Sequence, residues 1–180
     1  MSDLTNPASR SPAQAEAYVR AILDVLGDAD PVEVLGETPG KLSSIAEGRS
    51  PEVLSTPEAP GKWSARHVVL HLTDSDLVWA FRLRMVLAHD RPELAGYDQD
   101  AWADQLGYAE RDLDLAVDTF QVVRAGNLEL LERAGPEDMS RASLHEERGE
   151  EPLDHMIRLY AGHDLVHLRQ IERILGAVGG

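Results

Sequence analysis

The sequence predicts an all-α protein, a four-helix bundle with long connections, and three observations carry that expectation. Four long segments place apolar residues at helical spacing, no segment of useful length alternates with the period of a strand, and 180 residues suit one domain rather than two. There is no internal repeat.

The elements follow in order. Residues 1–11 are polar and read as a flexible N-terminus; residues 12–178 are expected to form the bundle domain. Ala13 to Leu26 carries Ala17, Ala21 and Val25 beside Tyr18, Ile22 and Leu26 before Gly27 stops it, which predicts a first helix. From Asp28 to Trp63 the five prolines Pro31, Pro39, Pro51, Pro57 and Pro60 are too dense for a long helix, so only a short helical piece near Lys41 to Ala46 is expected. After Pro60-Gly61, Ser64 is a natural N-cap, and Ala65 to His89 runs without Gly or Pro. Arg91-Pro92 ends that second helix. The third runs from about Ala109 to Ala134, weakened by Gly126 and closed by Gly135-Pro136. A polar, acidic connection with His145 follows, and the fourth helix starts at Pro152 and reaches Leu175 before Gly176. The connections are long enough to travel the length of a bundle, which allows an up-down-down-up order.

Composition closes several routes. With 32 acidic against 17 basic residues, the net charge of −15 repels nucleic-acid phosphates and anionic membranes, so neither is an expected partner. No apolar run is long enough to span a bilayer, and the first residues lack the apolar stretch of a secretory signal, so a cytoplasmic location is expected. With no cysteine there is no disulfide, no Cys-based zinc site and no thiol nucleophile of the protein's own. Any thiol chemistry needs a thiol from outside.

The chemistry-bearing signal is histidine. His67 and His71, and His163 and His167, stand four residues apart on helices; seven histidines scattered at random over 180 positions would give about 0.2 such pairs. Residues four apart share a helix face, so two imidazoles can reach one ion. The plain alternative is half-exposed histidines bonded to neighbours or water. The fourth helix argues against it, because its stripe of Leu153, Met156, Ile157, Tyr160, His163, Asp164, His167, Leu168, Ile171, Ile174 and Leu175 sets both histidines on or beside the apolar face. His71 falls between Val68, Leu72 and Ser75 and is expected to face inward, with His67 at the edge. If the second and fourth helices run antiparallel, His71 and His167 lie at similar heights and can share an ion. Three imidazoles would leave coordination positions open, as catalytic sites do. Asp74 and Asp164 read first as solvated helix charges, with orienting an imidazole as the alternative. Trp63, Trp79 and Trp102 read as packing residues, although Tyr97 and Trp102 could wall a pocket. Arg66, Arg82, Arg84, Arg158 and Arg169 are expected to make surface pairs, or else to bind carboxylates of a thiol cosubstrate. His145 and His155 have no partner at ligand spacing.

The segments GKWSARHVVLHLTDSD (Gly61 to Asp76), GYDQDAWAD (Gly96 to Asp104) and LYAGHDLVHLRQI (Leu159 to Ile171) resemble the DinB-like superfamily of bacterial four-helix bundles, and within it the YfiT-like metal-dependent branch. The likeness covers residues 12 to 178. It implies an up-down-down-up bundle and a divalent metal held by His71, His163 and His167, with His67 at a position often occupied by a non-ligand. The chain departs where some YfiT-like sequences carry further histidines on the last helix: here stand Gly162, Val166 and Gln170. The resemblance implies transfer of a low-molecular-weight thiol, bacillithiol- or mycothiol-like, to small electrophiles, the metal making thiolate available near neutral pH. Two alternatives stand beside it: a metal-dependent hydrolase of a small molecule, and a non-enzymatic bundle acting through dimerisation or another partner. Zinc and nickel suit an imidazole site best. A homodimer is left open.

Overall fold

The computed structural model of the chain describes residues 12–179, so the expected flexible N-terminus, residues 1–11, lies outside the described residues. The helices are α1 Pro12–Leu26, α2 Pro31–Glu47, α3 Pro51–Ser55, α4 Ala65–Ala88, α5 Gln99–Gln105, α6 Leu113–Arg133 and α7 Leu153–Val178. Three short strands, β1 Glu93–Leu94, β2 Ala142–His145 and β3 Gly149–Pro152, make a small sheet in the order β1-β2-β3. No helix among the described residues is long and apolar enough to cross a membrane.

Two apolar clusters fix the helix directions. One gathers Leu42 near the end of α2, Ala65 to Leu72 at the start of α4, Leu113 to Phe120 at the start of α6 and Leu168 to Leu175 late in α7. The other gathers Val34 and Leu35 at the start of α2, Trp79 to Val86 late in α4, Leu131 late in α6 and Leu153 to Ala161 at the start of α7. Hence α2 and α7 point one way and α4 and α6 the other, an up-down-down-up bundle as expected. Its first member is α2 rather than the predicted first helix. That helix is present as α1, but it packs on the outside of α7 through Ile22, Leu159 and Val166.

The expectation that prolines forbid a long helix between residues 28 and 63 is corrected by the 17 residues of α2. Pro31 occupies the first turn, where its missing N–H is no loss, behind Asp30, whose carboxylate accepts from the backbone of Val32 and Glu33 at 2.8 and 3.0 Å. Pro39 lies inside the helix and leaves the carbonyl of Leu35 without its usual i+4 donor. Arg124 Nη1 donates to that carbonyl at 3.0 Å. The broken rung is filled from another helix.

The same guanidinium, on α6, pairs with Asp76 on α4 (Nε to Oδ1, 2.9 Å) and Asp164 on α7 (Nη1 to Oδ2, 2.6 Å), and lies over the rings of Phe120 and Trp79 at 4.5 and 5.1 Å. All three charged groups are buried. Replacing Arg124 by Met would leave two carboxylates uncompensated and should lower the stability of unfolding by about 3–5 kcal/mol. Denaturant titration of Arg124→Met checks this; a loss below about 1 kcal/mol would show that the carboxylates find other partners.

The absence of strands was the second wrong expectation. β2 and β3 form a hairpin, paired from Ala142 with Pro152 to His145 with Gly149, and β1 adds in parallel to β2. Gly149 closes the turn at φ 78°, in the left-handed region that suits glycine. The pattern hides because its burial is inverted: Ser143 and His145 face inward while Leu144 is 40% exposed.

Where α1 crosses α7, Gly162 leaves no room for a side chain, since a Cβ there would stand 2.6 Å from both Cγ2 and the carbonyl oxygen of Ile22. Glycine inside a helix costs about 1 kcal/mol against alanine, so Gly162→Ala would stabilise an isolated α7. Here the clash with backbone wins, and Gly162→Ala is expected to destabilise the protein by about 1–3 kcal/mol. A raised denaturation midpoint for this variant would contradict the packing described.

Candidate metal centre

Ser64 starts α4, its hydroxyl accepting from the backbone of His67 and meeting that residue's Nδ1 at 2.8 Å. His67 is therefore occupied with the helix cap. His71, one turn on, is 1% exposed and faces α7. There it meets His163 and His167, whose ring centres lie 5.2 and 4.7 Å from its own and 4.4 Å from each other. One nitrogen from each of the three lies within 4.8 Å of the others, and Nε2 of His71 and His163 are 3.2 Å apart. Two nitrogens held at about 2.0–2.1 Å from one tetrahedral ion stand about 3.4 Å apart, close to that separation.

The third imidazole shows where its lone pair is. His167 Nδ1 lies 2.8 Å from Oε1 of Gln170, an acceptor, so Nδ1 carries the proton and donates. Nε2 of His167 is left as a bare acceptor, and it is buried with no hydrogen-bond partner. Burial pushes all three imidazoles below the ordinary histidine range: His71 and His163 well below, His167 to about 4. For His71 and His163 the other imidazoles add to the effect, while Gln170 and Asp164 partly offset it at His167. Neutral rings whose nitrogens converge within 4.8 Å of one another, one of them a bare buried acceptor, are the form in which histidine binds a metal, so the residues fit a divalent ion.

Asp74, read as a solvated charge or as a group orienting an imidazole, is neither: it is 4% exposed and bonded away from the histidines. Its Oδ2 accepts from the Tyr108 hydroxyl at 2.7 Å and from Arg111 at 2.9 Å, which tie α4 to the segment before α6. Asp164 serves Arg124 instead of a histidine. The orienting group is Gln170, a position where the sequence suggested only a missing histidine. Trp63 packs its ring 5.2 Å from that of His71.

A pocket of about 70 Å³ opens beside His163, between α1, α4 and the hairpin. Arg82, Tyr97, His145, Arg148 and Tyr160 line it with His163. Tyr97 was expected to wall a pocket with Trp102; it does line this one, and the Trp102 ring packs 4.6 Å behind it. Ser75 Oγ and the Tyr97 hydroxyl are 2.7 Å apart, and burial pushes Tyr97 up to about 12. Of the five arginines expected at the surface, Arg82 is 6% exposed and belongs to the pocket. His145 was not expected near the site at all. No spacing rule connects a hairpin residue with a helix 18 positions away, and the inward-facing polar pattern of β2 was the only trace. His155 stays apart from the three-imidazole group.

A parallel and antiparallel four-helix frame with three converging imidazoles, two of them buried, on its second and last members defines a metal-capable bundle of the DinB type. The sequence profile of the DinB superfamily matches residues 35–171, and the chain belongs to that superfamily. The match spans α2 to α7, the bundle without α1. Among similar proteins, YfiT of Bacillus subtilis strain 168 is 27% identical over 149 residues, covering 81% of this chain and 84% of that one. A relative from Bacillus licheniformis is 28% identical over 173 residues, covering 96% and 95%, and one from Oceanobacillus iheyensis is 26% identical over 140, covering 78% and 81%. All three are named as candidate metal-dependent hydrolases. The solved structure of YfiT, described as an unusual four-helix bundle topology, superposes with a TM-score of 0.73 at 26% identity over 81% of this chain and 86% of that one.

The depressed imidazoles make the metal-free fold sensitive to acid. Each binds its proton more weakly folded than unfolded, so their contribution is complete above about pH 6.5, the unfolded value, and is lost as pH falls toward the folded values. His67 and His145, also lowered by burial, act in the same direction. Asp76, raised by burial to about 7 against the pull of Arg124, and Asp100, raised by burial and by its acidic neighbours Asp98 and Asp104, work the other way, but they are two groups against five. The denaturation midpoint of metal-free protein should therefore be flat above about pH 6.5 and fall steadily from there to pH 4. A midpoint that rises over that interval would show the rings to be protonated in the fold.

Proposed function

We propose that this chain is a metal-dependent hydrolase of small molecules, with His71, His163 and His167 as ligands of one divalent ion, zinc or nickel. The observation that carries the reading is the unpartnered Nε2 of His167, buried against two other neutral imidazoles and fixed in its tautomer by Gln170. When bound, such an ion supplies Lewis acidity, polarising a substrate oxygen and lowering the pKa of water toward about 7. Three protein ligands leave room for that exchange, whereas a structural site would use a fourth.

The chain's own residues divide the remaining work. Gln170 holds the His167 ring so that Nε2 faces inward. Trp63, whose ring centre lies 5.2 Å from that of His71, sets apolar surface beside the imidazoles and so strengthens polar contacts made there. Tyr97, held as a hydroxyl by its high pKa and close to Ser75, can give a hydrogen bond to negative charge building on a substrate oxygen. The pocket beside His163 admits a small substrate.

The thiol-transfer expectation draws no support from the relatives, whose names speak for hydrolysis. Protein purified without a His tag should hold near-stoichiometric metal, and His71→Ala and His163→Ala should lose it while keeping their helical circular dichroism. Gln170→Ala should keep the ligands and bind the metal about 10–100-fold more weakly. Hydrolysis of ester, amide or lactone substrates should stop on chelation and return with metal, independent of added thiol. Turnover only in the presence of a thiol would replace the hydrolase with a transferase, and untreated protein without metal would favour a non-enzymatic bundle.

A further inference from the structure

Two arginines are buried among the described residues, Arg124 and Arg82, and only the first has carboxylates. Arg124 has Asp76 and Asp164, Arg148 has Glu151, and half-buried Arg111 has Asp74. Arg82, only 6% exposed, gives its hydrogen bonds to neutral groups, Nη2 to the Ala95 carbonyl at 2.5 Å and Nη1 to the Tyr160 hydroxyl at 3.2 Å. Among the described residues no carboxylate stands within ion-pair distance of it. Glu147 lines the same pocket but forms no ion pair with Arg82. A buried cation normally has a counter-charge. Arg82 has none, and it lines the pocket.

A second, independent observation concerns His145. The backbone N–H of Glu147 donates to its Nδ1 at 3.2 Å, so in the neutral ring the proton is on Nε2. That N–H is buried and has no partner, although the ring lines the pocket. Burial, with Arg148 and Arg82 nearby, takes His145 down to about 3, so the ring is a neutral donor at any physiological pH. A third group completes the set: the Tyr160 hydroxyl accepts from Arg82 and keeps its own proton to give, while its ring is stacked on Trp79 at 4.9 Å. Arg82 and two neutral donors face a space bordered by His163, which Arg148, neutralised by Glu151, also lines.

We propose that this pocket holds an oxyanion of the substrate, a carboxylate or a phosphate, with Arg82 as its charge partner and the Nε2–H of His145 and the Tyr160 hydroxyl as directed donors. A guanidinium suits either anion, because its fork of N–H groups matches two oxygens at once. The substrate class is then a small anionic molecule whose charged end is anchored by Arg82 and whose reacting group lies at the imidazoles. The word substrate rests on the hydrolase reading; the anion site itself does not.

The test is titration of metal-free protein with acetate, inorganic phosphate and, as a neutral control, acetamide, at constant ionic strength set with chloride, read by calorimetry and thermal shift. Wild type should bind acetate or phosphate, and which of the two binds more tightly decides the anion. Acetamide should have no effect. Arg82→Gln should weaken binding by about ten- to a hundredfold. Because that substitution enters the core, a second pair decides the matter if it does not fold: His145→Phe, which keeps the ring and loses the donor, should weaken binding about tenfold, and His145→Gln, which restores an N–H, should recover it. Anion binding that survives both Arg82→Gln and His145→Phe, or an acetamide effect equal to that of acetate, would overturn the proposal. Metal content, measured separately on the same preparations, decides the hydrolase reading, so failure of one leaves the other standing.

Discussion

One guanidinium sets the geometry from which the rest follows. Arg124, on α6, reaches Asp76 on α4, Asp164 on α7 and the Leu35 carbonyl on α2, and so touches every helix of the bundle. Three charges in an apolar core are costly to bury, and hydrophobic residues of the same volume could well pack there with equal stability. What such residues would not do is fix rotation. An apolar helix face tolerates sliding and turning, whereas a bidentate ion pair holds Asp164 to one azimuth, and His163 and His167 are its neighbours on that helix. A single arginine against two carboxylates also leaves one negative charge in excess, which is why burial can raise Asp76 to about 7 even beside it.

From this constraint the division of labour in the molecule can be read. The bundle supplies the imidazoles, whose burial keeps them neutral and whose third nitrogen Gln170 turns inward. Elements outside the bundle close the pocket over Arg82 of α4 and Tyr160 and His163 of α7: α1 across Gly162, the segment through Tyr97, and the hairpin that carries His145 inward. The superfamily match begins at residue 35, after α1. The metal-capable centre thus belongs to the shared frame, while α1, one of the pocket's walls, lies outside the matched region.

How much of this was legible in the sequence depends on which force wrote each part. The long helices α4, α6 and α7 follow from apolar period and capping, and the convergence of His71, His163 and His167 from four-residue spacing on inward faces. The helix α2 was hidden because a proline rule is local: it counts the N–H that Pro39 lacks, but not the Arg124 donor that arrives from 89 positions further along the chain to satisfy Leu35. The hairpin was hidden because β2 turns Ser143 and His145 inward and Leu144 outward, the reverse of the pattern that marks a strand. Asp74 was misread for a related reason. One turn beyond His71 is the right height for an orienting carboxylate, but sequence does not say that Tyr108 and Arg111 would be waiting on the other side.

Charge gives the last step. A chain of net −15 repels anions at long range, which makes an anion-binding pocket look out of place. The two act over different distances and in different media. Surface carboxylates face water and salt, where a Debye length of about 8 Å screens them. Arg82 is buried in a low-dielectric wall, where its attraction for a group in contact is many times stronger than in water and little affected by salt. The sign of the surface therefore governs approach, and the sign of the wall governs what stays. In the proposed site the charge of Arg82 therefore acts on a group small enough to enter the pocket and touch it.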